Sequence, residues 1–455
     1  MVNIKGSNKA KASDGAYLLI FLAWLLYTVS YLGKVNYSAN ITQMVDYYQI
    51  SKAEAGLVPS FFFFAYGIGQ VVNGLLCKKY NIKWMIFLSL FVSAVINLIV
   101  ALTPDFEIIK WLWMLNGFML SILWPTLVRL LSGALPQKDL GKSSVILGTT
   151  VATGTLIIYG LSSVFAIFDM FKLSFYTASF LELIVAVLWL FLYGKAFKSA
   201  CEEKAKEVIS HNNEAKKEKS FENGKAEKNI IYITICVLCL YAVIVNLTKD
   251  GLTTWVPSIL KENFAMSDSV SILLTLTLPI VAIFGNLVAL KTHKFLPDYI
   301  THCFVVFIII GVIVGVIIAG ISRTQIIFTL VGLMFVNFMA SSLNSLITSI
   351  FPMFMREKVN SGLFAGIVNG FCYVGSTISS YGLGLIADNF SWISVFWLLI
   401  GCCLFAGIVW CIYIGIRYIL CVRERRTLTK EHSNCNIYVC DESNSPRLRN
   451  GTADD

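Results

Sequence analysis

Residues 27–40 read YTVSYLGKVNYSAN and lie inside the first long apolar segment, which runs to about residue 48. They contain Lys34, and a charge at membrane depth is costly unless it faces protein or a water-filled cavity. On a helix, Tyr27, Tyr31 and Lys34 fall at i, i+4 and i+7 and share one face, with Asn36 on an adjacent face. We interpret this stripe as the lining of a pathway; the alternative is a lysine that snorkels to the headgroups from a helix end.

A second stretch has the same character. Residues 241–260 read YAVIVNLTKDGLTTWVPSIL and place Lys249 inside an apolar segment. Lys249 lies 215 positions after Lys34, and Tyr232 lies 215 positions after Tyr17, in a chain of 455 residues. Weak internal symmetry with a binding site between the halves is typical of transporters built from parallel repeats.

Composition places the chain in the membrane and excludes several function classes. It is 57% hydrophobic and 14% charged, whereas soluble domains carry about 25% charged residues. The net charge of +9 is not arranged in a basic run interleaved with aromatics, so nucleic acid is not an expected partner. The 12 cysteines are scattered and predict neither a disulfide framework nor a metal site. No Walker motif or catalytic constellation is visible, so we expect neither an enzyme nor an ATP-driven pump, and no cofactor.

Apolar segments of about 20 residues can each span a bilayer, and their succession predicts an all-α membrane protein. We expect twelve transmembrane helices in two pseudo-symmetric six-helix bundles, at residues 16–197 and 229–417. The charged linker between them, residues 198–228, has no apolar face and should be solvated and partly disordered. Residues 1–15 and 418–455 form the two tails.

Lysine and arginine set the expected orientation, because loops rich in these residues stay in the cytoplasm. The loops on the side of the N-terminus carry more of them than the opposite loops. The sequence therefore predicts a multi-pass protein of a plasma or organelle membrane whose N-terminus, central linker and C-terminus are cytoplasmic. We expect it to act as a monomer in the lipid bilayer.

Short motifs follow one another in order on the predicted helices. They are Tyr31-Leu-Gly-Lys34-Val-Asn36 on helix 1, Ala65-Tyr66-Gly67 on helix 2, Trp124-Pro125 with Arg129 on helix 4, Lys249, Gly251, Trp255 and Pro257 on helix 7, and Tyr373-Val-Gly375 on helix 11. Together these motifs, which cover both halves, resemble the major facilitator superfamily and, within it, the organophosphate:phosphate antiporter family.

The resemblance implies a secondary active transporter that exchanges a small organic phosphate for inorganic phosphate by alternating access. In that family two basic residues on helices 1 and 7 clamp the phosphate. Facing cations suit a dianion in a low-dielectric cavity, and phenol hydroxyls can donate to phosphoryl oxygens. The candidate substrate-binding residues are Lys34, Lys249, Tyr27, Tyr31, Tyr373 and Asn36.

The chain departs from the family pattern at several positions. Both clamp residues are lysine, which lacks the bidentate fork of arginine. Gln70 stands where some members have a lysine, and helix 5 offers threonines such as Thr149 instead of a histidine. Asp250 could neutralise Lys249, although adjacent residues on a helix point in different directions. Glu182, inside helix 6, is interpreted as a structural partner of a hydroxyl, with proton coupling as the alternative.

These departures leave two rival functions open. A site with less positive charge also fits a proton- or sodium-coupled symporter of organic carboxylate anions. A transporter-like sensor, which binds a ligand without moving it, is the second rival. Transport into phosphate-loaded vesicles separates exchange from symport.

Overall fold

The computed structural model describes residues 7–76, 79, 81–210, 225–296, 298–351 and 361–441. Residues 1–6, the middle of the predicted linker (211–224) and the end of the predicted tail (442–455) lie outside the described residues.

Helices make up both halves of the chain. The first half contains α1 (Ser7–Ala39), α2 (Ile41–Tyr48), α3 (Lys52–Leu76), α4 (Ile82–Leu102), α5 (Phe106–Leu120), α6 (Leu123–Ala134), α7 (Gln137–Gly148), α8 (Thr150–Ile167) and α9 (Lys172–Ser210). The second half contains α10 (Lys225–Phe264), α11 (Asp268–Thr275), α12 (Thr277–Phe295), α13 (Tyr299–Ser322), α14 (Ile326–Ser345), a π-helical turn (Leu346–Ile350), α15 (Ser361–Asn389) and α16 (Trp392–Asp441).

Eleven segments in the part of the chain that the structure describes are long and apolar enough to cross a membrane. The remaining predicted span is α15, which has 29 residues but carries many glycines and serines that make it less apolar. It nevertheless packs between α3 and α10. The predicted all-α membrane fold is confirmed.

Several spans consist of two helices rather than one. The α5–α6 span breaks at Ser121, the α7–α8 span at Thr149 and the α11–α12 span at Leu276. The Ser121 and Thr149 hydroxyls donate to the carbonyls of Phe118 and Ile146, at 2.6 and 2.7 Å. Such bonds satisfy backbone groups that a broken helix leaves without partners in a membrane.

The helices run past the predicted bundle boundaries. Helix α9 continues to Ser210, α10 begins at Lys225 and α16 continues to Asp441. Helices thus cover residues 198–210 and 225–228 of the predicted linker, and the partial disorder of the linker stays a prediction. Alanine, lysine and glutamate dominate these flanks, and they are strong helix formers that extend a membrane helix into water.

Ionic contacts join the two halves at one end of the molecule. We call the end at which α1 begins the terminus end, and the end at which α2 meets α3 the opposite end. At the opposite end, the Asp388 carboxylate of α15 accepts hydrogen bonds from the backbone N–H groups of Lys52 and Ala53, at 3.2 and 2.7 Å. These are the first N–H groups of α3, and a helix N-terminus favours an anion. The Lys52 ammonium also lies 3.2 Å from Glu262, and Lys261 lies 2.6 Å from Asp46.

Small residues bring the two halves close at the same end. A methyl group at Gly56 of α3 would overlap the carbonyl of Ser380 in α15, and one at Gly384 would lie 2.7 Å from the Lys52 carbonyl. The indole N–H of Trp255 donates to Ser380, at 3.0 Å. Glycines allow such backbone approach between membrane helices, so the opposite end is sealed by packing as well as charge.

Candidate substrate-binding site

A cavity of about 580 Å³ lies between the halves. Its lining includes Thr348 and Ser349, which stand at the terminus end of the Ile326–Ile350 span, so the cavity extends toward that end. A methyl group at Gly148, also in the lining, would meet nothing within 4 Å. The cavity therefore reaches away from the sealed opposite end.

Lys34 sits in a cage of aromatic rings, not at the headgroups. Its ammonium nitrogen lies 4.2–5.9 Å from the ring centres of Tyr66, Tyr31, Phe62, Tyr373 and Phe63. A desolvated cation over an aromatic face gains about 2 kcal/mol or more. The rings come from α1, α3 and α15, so the cage draws on both halves of the chain and holds the cation at the cavity wall.

Lys249 is paired with its neighbour in sequence. Its ammonium lies 2.8 Å from Asp250 Oδ1, so the two side chains meet although the residues are adjacent on the helix. The four-carbon stem of lysine is long enough to turn its head toward the next residue. Ser376 of α15 donates to the other carboxylate oxygen of Asp250, at 2.6 Å. The pair lines the cavity and is partly exposed, at 25% and 21% of the two side chains.

The predicted tyrosines also line the cavity. Tyr27 packs against Tyr31, with ring centres 5.5 Å apart, and against Trp124, at 5.1 Å. Tyr373 faces them from the second half and packs 4.9 Å from Tyr66.

Gln70 belongs to the same lining and bridges the halves. Its Nε2 donates to the Tyr66 hydroxyl, and its Oε1 accepts from Asn369 Nδ2 of α15, both at 3.3 Å. The structure thus brings Gln70 together with the lysines and the tyrosines.

Two predicted residues face elsewhere. Asn36 is fully buried, donates to Asn97 Oδ1 at 2.7 Å and accepts the backbone N–H of Tyr37. Thr149 accepts the indole N–H of Trp24 at 3.0 Å and donates to a carbonyl of its own helix. Neither is part of the cavity lining.

Glu182 lies behind helix α1 rather than in the cavity. It is fully buried and accepts from Ser93, at 2.8 Å, and from Asn97, at 3.4 Å. A methyl group at Gly33 would overlap its carboxylate, and Asn116 donates to the Gly33 carbonyl at 2.9 Å. This polar network holds the backbone next to Lys34, which fits the structural interpretation of Glu182.

Two groups of site residues were missed in the sequence. The first is the α3 part of the cage, Phe62, Phe63 and Tyr66. The run of phenylalanines at 61–64 with Tyr66 four residues after Phe62 was a usable indication, because i and i+4 share a face.

The second missed group consists of amides on the wall that the second half provides: Asn246, Asn286, Asn337, Asn344 and Asn369. Polar side chains inside apolar helices are rare and point to function. Asn246 donates to Asn344 at 3.1 Å, and Ser345 donates to Asn286 at 2.7 Å. The described lining from the first half has five aromatic residues and one amide, Gln70, so the two walls differ in chemistry.

Known proteins resemble the chain along most of its length. The family model described as Major Facilitator Superfamily matches residues 23–364. The "Probable hexose phosphate transport protein" of Chlamydia trachomatis is 20% identical over 86% of this chain and 89% of that protein. The "Glycerol-3-phosphate transporter" of Bacillus subtilis is 23% identical over 83% of this chain and 88% of that protein.

Other similarities are shorter or concern the fold alone. The "Membrane sensor protein UhpC" of Escherichia coli is 22% identical, and the match spans only 27% of this chain and 28% of that protein. A solved D-xylose–proton symporter superposes with a TM-score of 0.66 at 13% identity, over 87% of this chain and 97% of that one. These matches confirm the predicted resemblance and a non-enzyme, multi-pass membrane transporter. The chain belongs to the Major Facilitator Superfamily.

Proposed function

We propose that the chain exchanges a small organic phosphate for inorganic phosphate by alternating access. The main support for this proposal is that Lys34 and Lys249, one from each half, line the same cavity. In a low-dielectric cavity, one cation from each half attracts the anion. The bound anion then contacts both halves at once. Binding of the anion is in this way coupled to the rocking of the halves.

The wall of amides supports a polar organic part for the substrate. Amide groups both donate and accept hydrogen bonds, as hydroxyl groups do. A hexose or glycerol phosphate offers hydroxyls for this wall and a phosphoryl group for the lysines. The printed names of the Chlamydia and Bacillus relatives point to the same substrate class.

We infer that the terminus end faces the cytoplasm, on the distribution of lysine and arginine. The cavity reaches toward that end while ion pairs close the opposite end. The structure then corresponds to an inward-facing state, ready to release or bind an anion on the cytoplasmic side.

A ligand-stabilisation screen of the purified protein tests the substrate class. A ligand that binds only the folded state adds about 2.7 kcal/mol at a hundred times its dissociation constant. We expect phosphate and phosphate esters to raise the melting temperature, and dicarboxylates of similar size to have little effect. Stabilisation by carboxylates alone would instead favour the symporter of organic carboxylates.

A further inference from the structure

The cavity contains an unusual balance of charges. Among its described lining residues, the charged ones are Lys34, Lys249 and Asp250. Two cations and one anion leave a net charge of one positive unit. A phosphate monoester carries two negative charges above its second pKa of about 6 and one below it. The cavity therefore neutralises a singly charged substrate and not a doubly charged one.

Two contacts fix the position of the Asp250 carboxylate next to the cavity lysines. One carboxylate oxygen meets the Lys249 ammonium at 2.8 Å, and the other accepts from Ser376 at 2.6 Å. Because Ser376 lies on α15 and Lys249 on α10, two helices fix the carboxylate. At 21% exposure the carboxylate remains open to the cavity.

Lys34 is stabilised in a different way. The rings around it are neutral, so they hold its charge in place without cancelling it. The uncompensated positive charge of the cavity thus belongs to the first half, and the second half contributes a pair that is already neutral. An incoming anion meets two cations and one carboxylate, and that carboxylate is in direct contact with Lys249.

Resting on the proposed function, we propose that Asp250 determines the charge of the substrate. The cavity accepts a phosphate ester as a monoanion, and Asp250 is the residue that disfavours the dianion. Unit charges a few ångströms apart in a site of low dielectric interact strongly enough to change affinity by about tenfold or more. A purely structural Asp250, which only orients Lys249, would leave a cavity with two cations that favours the dianion.

The test compares two ligands of the same shape and different charge. A hexose 6-phosphate is a dianion at about pH 8, well above its second pKa of about 6. A hexose 6-sulfate is a monoanion at the same pH, so both titrations begin from the same protein at the same pH. Binding of both is measured by titration calorimetry on the full-length protein in detergent.

We expect the wild type to bind the sulfate ester at least as tightly as the phosphate ester. Asp250→Asn should shift this ratio by about tenfold or more toward the phosphate ester. Asp250→Glu, which keeps the charge, should retain the wild-type ratio. Glu107→Gln is the matched control, because it removes an acidic charge at an exposed position outside the cavity lining.

The outcomes separate the two proposals. If the wild type binds neither ester, the proposed function fails. If it binds both but prefers the phosphate ester by tenfold or more, or if Asp250→Asn leaves the ratio unchanged, Asp250 does not set the substrate charge and the proposed function stands. Should the asparagine variant not fold, the wild-type ratio still tests the proposal, because a preference for the phosphate ester by tenfold or more overturns it.

Discussion

Lys34 and Lys249 occupy matching positions in the two halves but have different surroundings. Rings from three helices surround the first, whereas a carboxylate meets the second. A lysine is a compact point charge on a flexible stem and can adopt both settings. The presence of lysine at both positions is thus compatible with an aromatic cage around Lys34 and an ion pair at Lys249.

We predict that Lys34→Ala and Lys249→Ala each abolish transport while folded protein remains in the membrane. Removing one cation that faces a buried anion costs about 2–5 kcal/mol. The Lys249 change also leaves Asp250 with a bond to Ser376 but without its ammonium partner. The measurement is initial uptake into vesicles that contain equal amounts of each variant.

The control for this pair is Lys142→Ala. Its side chain is 61% exposed and pairs only with Asp139 among the contacts that the structure describes. We expect uptake close to that of the wild type. An alanine variant of either cavity lysine that transports at the wild-type rate would show that this lysine is outside the site.

At the scale of single helices, the glycines of α15 differ from one another in a way that the sequence does not reveal. A methyl group at Gly375 would overlap the Val243 carbonyl of α10 and lie 3.0 Å from the Leu247 nitrogen. At Gly382 of the same helix it would meet nothing within 4 Å. The first is a point of backbone contact, and the second is free to carry a side chain.

Gly375→Ala should therefore destabilise the protein, by about 1–3 kcal/mol for overpacking. Gly382→Ala is the matched control and should be neutral or stabilising, since alanine favours a helix over glycine by about 1 kcal/mol. Thermal unfolding of the two variants in the same detergent gives the comparison. Equal melting temperatures would contradict the close packing of α10 and α15.

The ion pairs at the opposite end should bias the equilibrium between the two access states. Lys52→Ala removes contacts to Glu262 and Asp388 that cross between the halves. Partly exposed pairs contribute about 0.2–1 kcal/mol each, so we expect a shift of a few-fold toward states open at that end. The readout is labelling of a cysteine at Ser38, in the cavity lining, by an impermeant reagent added from the opposite side.

Lys110→Ala is the control for this change. Lys110 pairs with Glu107 within the first half, at 2.6 Å, so its loss leaves the junction between the halves intact. The labelling rate should then match that of the parent cysteine variant. If both alanine variants raise the rate equally, the effect comes from general destabilisation and not from the inter-half contacts.

On the scale of the whole molecule, the sequence predicts the helices and the two cavity lysines better than it predicts the side chains that contact those lysines. Lys34 and Lys249 could be found because a charge in an apolar segment is conspicuous. The cage around Lys34 was predicted only in part: Tyr31 and Tyr373 were among the candidate residues, whereas the contact with Phe62 depends on how tertiary packing rotates α3 against α1.

The remaining site residues illustrate the same limit. Asn36 shares a motif with Lys34, yet its side chain is buried and donates to Asn97 instead of facing the cavity. The sequence leaves open whether Asp250 neutralises Lys249, because helix geometry describes the direction of Cβ and not the reach of a long side chain. The position of a side chain with several rotatable bonds depends on its contact partners in the fold. A single sequence does not show which residues those partners are.

Exchange in reconstituted vesicles tests the proposed function most directly. Vesicles are loaded with a hexose phosphate, and uptake of labelled inorganic phosphate is followed with and without an imposed proton gradient. We predict that uptake requires the internal anion, is indifferent to the gradient, and is lost in Lys34→Ala and Lys249→Ala. Binding without any uptake would instead indicate a sensor. Uptake into empty vesicles that follows the proton gradient would contradict exchange and favour the symporter.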